Sequence, residues 1–336
     1  MKVSRLGCVI VAVAAVLGFC SCNKKSLDTP QPDTQSVIGF SNIVTKAGLD
    51  TLQTNGFRVW AFINNATVTN ELILNNAKVT YSSKEGSWEY SPLRYWIDES
   101  VFTFVAAYPY DENAYTLDQS NSSLNLTLAK TPSKKDYLIA TNMTDTSVEG
   151  FSKTVNLQFK HILTSVGLNI WRDNAKHTND QMRIKKVTLS NIRKTGTYSS
   201  YTDTWVPTNE KVTIERIYDE FSDSDNIGAA NVNTNGTLTL GGIPADPFND
   251  MMLIPQTLDG GSPVSLKIQY ELKRQNAVDW ETAELETVLP SITWEANRRY
   301  TYNVVLSSVT DITVYYIQTK VDPWGTPQVG GTVIIK

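Results

Sequence analysis

The chain has 336 residues, with 30 Lys or Arg, 34 Asp or Glu and a formal charge of −4 with histidine neutral. An acidic chain without a basic run argues against nucleic acid as a partner, and its length predicts two domains. Its only cysteines are Cys8, Cys20 and Cys22, so a fold built from the rest of the chain has no disulfide to hold it.

The first element is an export signal. Lys2 and Arg5 give a cationic start, and Val9–Phe19 is an unbroken apolar run. That run is short of the roughly 20 residues a spanning helix needs, and it suits a signal-peptide core. Cys20 follows the bulky Phe19, whereas Cys22 follows the small Ser21. The stretch resembles a relaxed lipobox of bacterial lipoproteins, which implies that Cys22 becomes the acylated N-terminus. Residues 1–21 are then the signal. A diacylglycerol plus an N-acyl chain, palmitate included, gives the multi-chain anchoring that one fatty acid lacks. Residues 22–35 are polar, contain Pro30 and Pro32, and read as a tether.

Period-two patterns follow. Ser36–Val44 reads as a first strand, ending at Lys46 in a polar loop, KAGLDTLQTNG. Further strands are predicted over Gly56–Ile63, Val101–Tyr108, Ser122–Ala129, Thr154–Trp171, Ile184–Ile192, Gly236–Ile243, Pro263–Leu272 and Arg299–Val309. Asn235–Gly236 suits a tight hairpin and Asp259–Gly261 a loop. Outside the signal no apolar stripe of helical period exceeds about three turns. The expected class is all-β, with two tandem antiparallel β-sandwiches over 36–158 and 159–336. A second series of strands begins near Phe159–Leu163. At the end, Pro323, Pro327 and Gly330–Gly331 precede Thr332, Val333, Ile334 and Ile335. These prolines and glycines weaken a continuous final strand.

Eight tryptophans need a place. The reading adopted is that Trp88, Trp96, Trp205, Trp294 and Trp324 plug the ends and corners of the sandwiches. Stacking on sugars is the other use of such residues. Catalytic constellations are absent: no G-x-S-x-G, P-loop or G-x-G-x-x-G occurs. The two histidines stand apart, His161 in a strand pattern as a satisfied core group and His177 in a polar, solvated loop. Asp98–Glu99 is a loop pair. Ser222–Asn226 lacks the twelve-residue calcium-loop pattern and reads as a solvated turn. No enzyme activity, cofactor or metal is expected.

Five stretches together resemble one family. They are GSWEYSPLRYWIDESVFTFVAAYP (Gly86–Pro109), LQFKHILTSVGLNI (Leu157–Ile170), VTLSNI followed by GTY (Val187–Tyr198), LIPQTL (Leu253–Leu258) and WEANRRYTYNVVL (Trp294–Leu306). Their order and spacing are similar to those of the fimbrillins, the lipoprotein subunits of Bacteroidetes donor-strand pili. The resemblance implies transthyretin-like sandwich domains, a surface-exposed outer-membrane location in a fimbrium, and assembly with other fimbrial subunits in a homo- or heteropolymer that serves adhesion to host or bacterial receptors. Where family members often carry an arginine for a trypsin-like protease, this chain has Lys46. The donor segment would be Thr332, Val333, Ile334 and Ile335. The alternative is a monomeric glycan-binding surface lipoprotein.

Overall fold

The computed structural model describes residues 36–45, 49–128, 135–174, 177, 179–218, 229–232, 238–241, 245–258, 261, 263–306, 312–320 and 328–334. In chain order the first half gives β1 (Gly39–Thr45), a helix α1 (Leu49–Asn55), β2 (Phe57–Asn64), β3 (Glu71–Ser82), β4 (Ser87–Glu89) and β5 (Val101–Tyr108). It continues with β6 (Tyr115–Asp118), a 3₁₀ turn (Gln119–Asn121), β7 (Ser123–Leu128), β8 (Leu138–Asp145) and β9 (Thr154–His161). Seven of these strands form one sheet in the order β1-β9-β8-β5-β2-β3-β4. The sheet curls until the residues leading into β1 meet the segment after β4. There Val37 bridges Tyr95, and Ile38 N–H donates to the Arg94 carbonyl at 2.8 Å. Inside the curl lie Phe57, Val59, Phe102, Phe104, Val155 and Leu157, all buried. Alternation along each strand sends these side chains to one face.

The second half gives β10 (Thr164–Asp173), β11 (Gln181–Arg193), β12 (Gly196–Ser199), β13 (Thr204–Pro207), β14 (Lys211–Ile217), β15 (Ala229–Val232) and β16 (Leu238–Gly241). Then come β17 (Ala245–Leu253), β18 (Gln256–Thr257), β19 (Ser265–Lys273), β20 (Glu281–Val288), β21 (Thr293–Trp294), β22 (Arg298–Leu306), β23 (Ile312–Lys320) and β24 (Gln328–Ile334). One sheet runs β16-β15-β10-β22-β23-β24, with β17 also on β10, and a second runs β14-β11-β19-β20. Their inner faces share one core, including Leu168 and Ile170 of β10, Val187 and Leu189 of β11, Ile268 and Tyr270 of β19, and Tyr302 and Val304 of β22. That is two sheets face to face around an apolar layer, as in a sandwich.

A third sheet takes strands from both halves, in the order β13-β12-β7-β6. Leu126 of β7 stands opposite Tyr198 of β12, and Leu128 opposite Gly196. This sheet covers the outer face of the first one, where Trp60, Phe62, Val105 and Ile139 meet Leu124, Leu126, Tyr198 and Ile254. A Cβ on Gly196 would stand 2.8 Å from the Val206 carbonyl oxygen, so β12 lies against β13 too closely for a side chain there.

The all-β class agrees with expectation, and three departures have physical causes. First, the pairing is antiparallel except that β1–β9, β10–β15 and β10–β22 are parallel, which alternation alone does not reveal. Second, the expected single strand over Thr154–Trp171 breaks at Ile162–Leu163. β9 belongs to the first sheet and β10 to the next, and Ile162 and Leu163 turn into the third core. Third, the expected polar loop before Gly56 holds helix α1. Leu52 is fully buried, and Gly56 N–H closes the helix on the Leu52 carbonyl at 2.7 Å. The tryptophans are closers as expected. The indole N–H groups of Trp96, Trp205 and Trp294 donate to the Lys153 carbonyl at 2.9 Å, the Ile162 carbonyl at 2.6 Å and the Tyr302 hydroxyl at 2.9 Å. Trp324 lies outside the described residues.

Two predictions follow from local geometry. Gly56 and Gly86 both have positive φ, +73° and +65°, but only at Gly56 would a Cβ meet backbone, the Val79 oxygen at 2.4 Å. Gly86→Ala should lower stability by about 1 kcal/mol and Gly56→Ala by about 3 kcal/mol. Urea denaturation checks this, and equal losses would contradict it. The second concerns Glu271 of β19, which receives Arg183 Nε at 2.6 Å and Lys185 Nζ at 2.9 Å. Burial pushes its carboxyl up, but the hydrogen bonds from Lys185 and Arg183 outweigh burial and hold it below the ordinary 4.5. A lowered carboxylate contributes stability above its unfolded value and loses that contribution as pH falls through its folded value. Glu271→Gln should cost about 1.5–3 kcal/mol at pH 7 and flatten the fall in stability below about pH 4.5. An unchanged acid slope in urea titrations would contradict this.

Candidate functional site: the terminal strands

The sequence places the functional residues at the two ends of the chain. Cys22, Lys46 and Ile335 lie outside the described residues, as do Cys8, Cys20 and Ser222–Asn226. Thr332, Val333 and Ile334 lie in β24, and the predicted first strand is β1 with its lead-in.

β1 forms the outer edge of the first sheet, parallel to β9. Gly39 stands opposite Thr154 and Phe40 opposite Val155, and the register shifts between Ser41 and Val44. The local sequence alternates, so Ile38 and Phe40 point inward, and after the shift Ile43 does so as well. All three are buried, Ile38 completely. Phe40 packs edge-on against Phe57, Tyr90 and Phe104, with ring centroids 6.3, 5.4 and 6.2 Å away. At Gly39 a Cβ would meet Thr154 Cγ2 at an ordinary 3.5 Å, so this position does not demand glycine.

Hydrogen bonds outside the ladder hold the lead-in. Tyr90 donates its hydroxyl proton to the Ile38 carbonyl at 2.9 Å, and Trp96 N–H donates to the Ser36 carbonyl at 3.0 Å. Burial pushes the Tyr90 phenol above its usual range, against the lowering effect of Arg94, so it stays a donor at neutral pH. Sequence reasoning found the strand but not Tyr90 as its clasp. The nearest signal was the aromatic run WEYSP, which gives no partner.

β24 is the outermost strand of its sheet and pairs antiparallel with β23 alone. Thr332 stands opposite Ile317, Val333 opposite Tyr316 and Ile334 opposite Tyr315. The register shifts where Gly331 falls, between the Gln318–Gly330 and Ile317–Thr332 pairs. The glycines, read from sequence as weakening a continuous strand, admit a bulge within it.

The histidines have structural partners. His161 is buried and its Nδ1 meets Asp136 Oδ2, consistent with a satisfied core group. The solvated loop expected around His177 is corrected: His177 is 5 % exposed, its Nδ1 lies 2.9 Å from Asp180 Oδ2, and Arg172 donates to its carbonyl. Asp180 Oδ1 accepts from Gln275 N–H at 3.0 Å, which folds this polar segment against the β19–β20 connection. Among the described residues no three His, Cys, Asp or Glu side chains gather as metal ligands. Asp98 and Glu99 are both exposed.

Among the described residues the arrangement presents two edge strands, β1 laddered to β9 and β24 laddered to β23. Comparison with known proteins bears on this. None of the curated proteins matches the chain. Among solved structures it is similar to a fimbrial protein from Bacteroides vulgatus, at 17% identity and a TM-score of 0.58, over 89% of this chain and 99% of that one. At such identity the likeness is one of fold. Candidate cell adhesion proteins from Bacteroides uniformis (16% identity, 87% and 100% covered, TM-score 0.46) and Bacteroides ovatus (15%, 88% and 99%, 0.47) are also similar. The model of the fimbrillin-like family matches residues 45–324, from the last residue of β1 to beyond β23, and the chain belongs to that family.

Proposed function

We propose that this chain is a subunit of a cell-surface fimbrium that serves adhesion, is exported as an outer-membrane lipoprotein acylated at Cys22, and joins other fimbrial subunits by strand exchange. It works without catalysis, and its partners are copies of itself or related subunits. Residues 1–21 are the signal, 22–35 the tether, and 36–158 and 159–336 the two sandwich domains, linked by the sheet that both halves build.

The observation that carries the reading is the position of β1. It is an edge strand whose inward side chains fill the core of the first sheet. Cleavage after Lys46 would free it. Its departure would expose the unpaired edge of β9 and a groove lined by Phe57, Phe104 and Tyr90, the combination that invites another strand. Each aliphatic or aromatic side chain buried in that groove stabilises the joint by about 1.5–3 kcal/mol. The C-terminal segment of a neighbour would supply Val333 of β24 and, one residue beyond it, Ile335, which period-two alternation sets on one face. β24 pairs with β23 alone in its own sheet, so its departure breaks a single ladder. A joint of this kind dissociates slowly, because the inserted strand must leave a completed core.

Two experiments test the reading. Cys22→Ala should abolish fatty-acid labelling in cells, whereas Cys20→Ala should leave it intact; labelling that survives Cys22→Ala defeats the lipid assignment. Limited trypsin treatment of the purified chain should cut after Lys46 and yield ladders, and deletion of Gly331–Lys336 should abolish them. A cut chain that stays monomeric with or without those residues defeats strand exchange for this subunit.

A further inference from the structure

The outer face of the first sheet carries a groove of about 220 Å³ away from both terminal strands. Thr103 of β5 and its cross-strand partner Met143 of β8 line it, together with Thr141. Ser123 opens β7, and Ser200 and Tyr201 come from the turn between β12 and β13. None of the ten lining residues is charged. The groove therefore offers hydroxyl and amide groups without a counter-charge for an ionic ligand.

Two lining side chains are exposed and available to a ligand. Tyr201 is 64% exposed and Met143 74%. Tyr201 is nonetheless on a pinned turn. Leu124 N–H donates to Ser200 Oγ and Ser200 N–H to the Leu124 carbonyl, both at 2.9 Å. Tyr198 donates to Asp203 Oδ1 at 2.7 Å, and Lys160 pairs with Asp203 on its other oxygen. An aromatic ring on a fixed turn binds with little ordering cost.

The third observation is Ser123. It is 2% exposed, and its hydroxyl oxygen has no hydrogen-bond partner among the described residues. A buried hydroxyl left unmade is unfavourable; its proton rotates freely to suit a partner, which a ligand hydroxyl or a bridging water supplies. The volume is below the roughly 300–1,000 Å³ of drug-sized sites, which limits the occupant to about one ring.

A neutral ring with hydroxyls on its rim and C–H groups on its faces meets each of these features. Its apolar face packs on Tyr201, and its hydroxyls replace water on the Ser and Thr groups. We propose that this groove is a binding subsite for a single neutral pyranose unit of a surface glycan. The proposal does not depend on strand exchange, since every residue it uses lies apart from β1 and β24.

The test uses the full chain in a sugar-free zwitterionic detergent. The probes are the methyl glycosides of glucose, galactose, mannose and N-acetylglucosamine, with glucuronate as a charged control, read by saturation-transfer NMR and titration. At least one neutral glycoside should receive saturation and glucuronate none. Tyr201→Ala should weaken that binding at least tenfold with no change in melting temperature, Tyr201→Phe should retain it, and Ser123→Ala should weaken it several-fold. Saturation of no neutral glycoside overturns the proposal, as does equal binding by wild type and Tyr201→Ala. The Tyr201→Ala chain should still form trypsin-induced ladders to the wild-type extent, so failure here and failure of strand exchange are read separately.

Discussion

One edge of β9 is covered by β1, and Ile38, Phe40 and Ile43 fill the first core from that side. These are the same requirement seen from backbone and side chain. An uncovered strand edge leaves a row of unpaired peptide groups, and an unfilled core leaves aromatic surface in water. Residues 36–336 contain no cysteine, so no covalent bridge compensates for a missing strand. The ladder, the Phe40 ring and the Tyr90 clasp together decide whether the curled sheet is finished. A segment so necessary and so peripheral is suited to replacement by an equivalent segment from elsewhere.

The rest of the molecule is closed by large aromatic groups whose polar ends are satisfied. Trp96, Trp205 and Trp294 each present an indole N–H to a specific oxygen, and Tyr300 donates to the Thr293 carbonyl at 3.0 Å. Such groups bring area and direction together. The area stabilises, while the hydrogen bond selects one orientation of the ring and so one way of joining the strands. This is how sandwiches without disulfides keep a single arrangement at their corners.

Central strands were legible because both their faces matter. β5 runs over the predicted Val101–Tyr108, and β2, β11 and β22 lie within a few residues of their expected bounds. The strands that escaped notice have polar outer faces or breaks in alternation. β3 carries Asn75 and Asn76, with Asn76 at φ +55° where the register with β2 shifts. β20 alternates with glutamates on a nearly exposed edge. The edge position of β1 was unreadable for a different reason: parallel pairing joins residues far apart in sequence, and no turn between them announces it. For the candidate site, the terminal segments stood out by composition, whereas Tyr90, Tyr201 and Ser123 acquire meaning only from what folds beside them.

The sheet built from β7 and β12 has a mechanical consequence. If subunits join as proposed, tension between a joint at β1 and one at β24 passes through whatever connects the two halves. A single covalent linker would let the halves swing and extend under load. Here the Leu126–Tyr198 and Leu128–Gly196 pairs add a backbone ladder, and the apolar layer beneath them adds a second attachment. Separating the halves then requires several hydrogen bonds and a buried core to fail together. If subunits join by the proposed strand exchange, this coupling favours yielding at the joints over parting of the two halves.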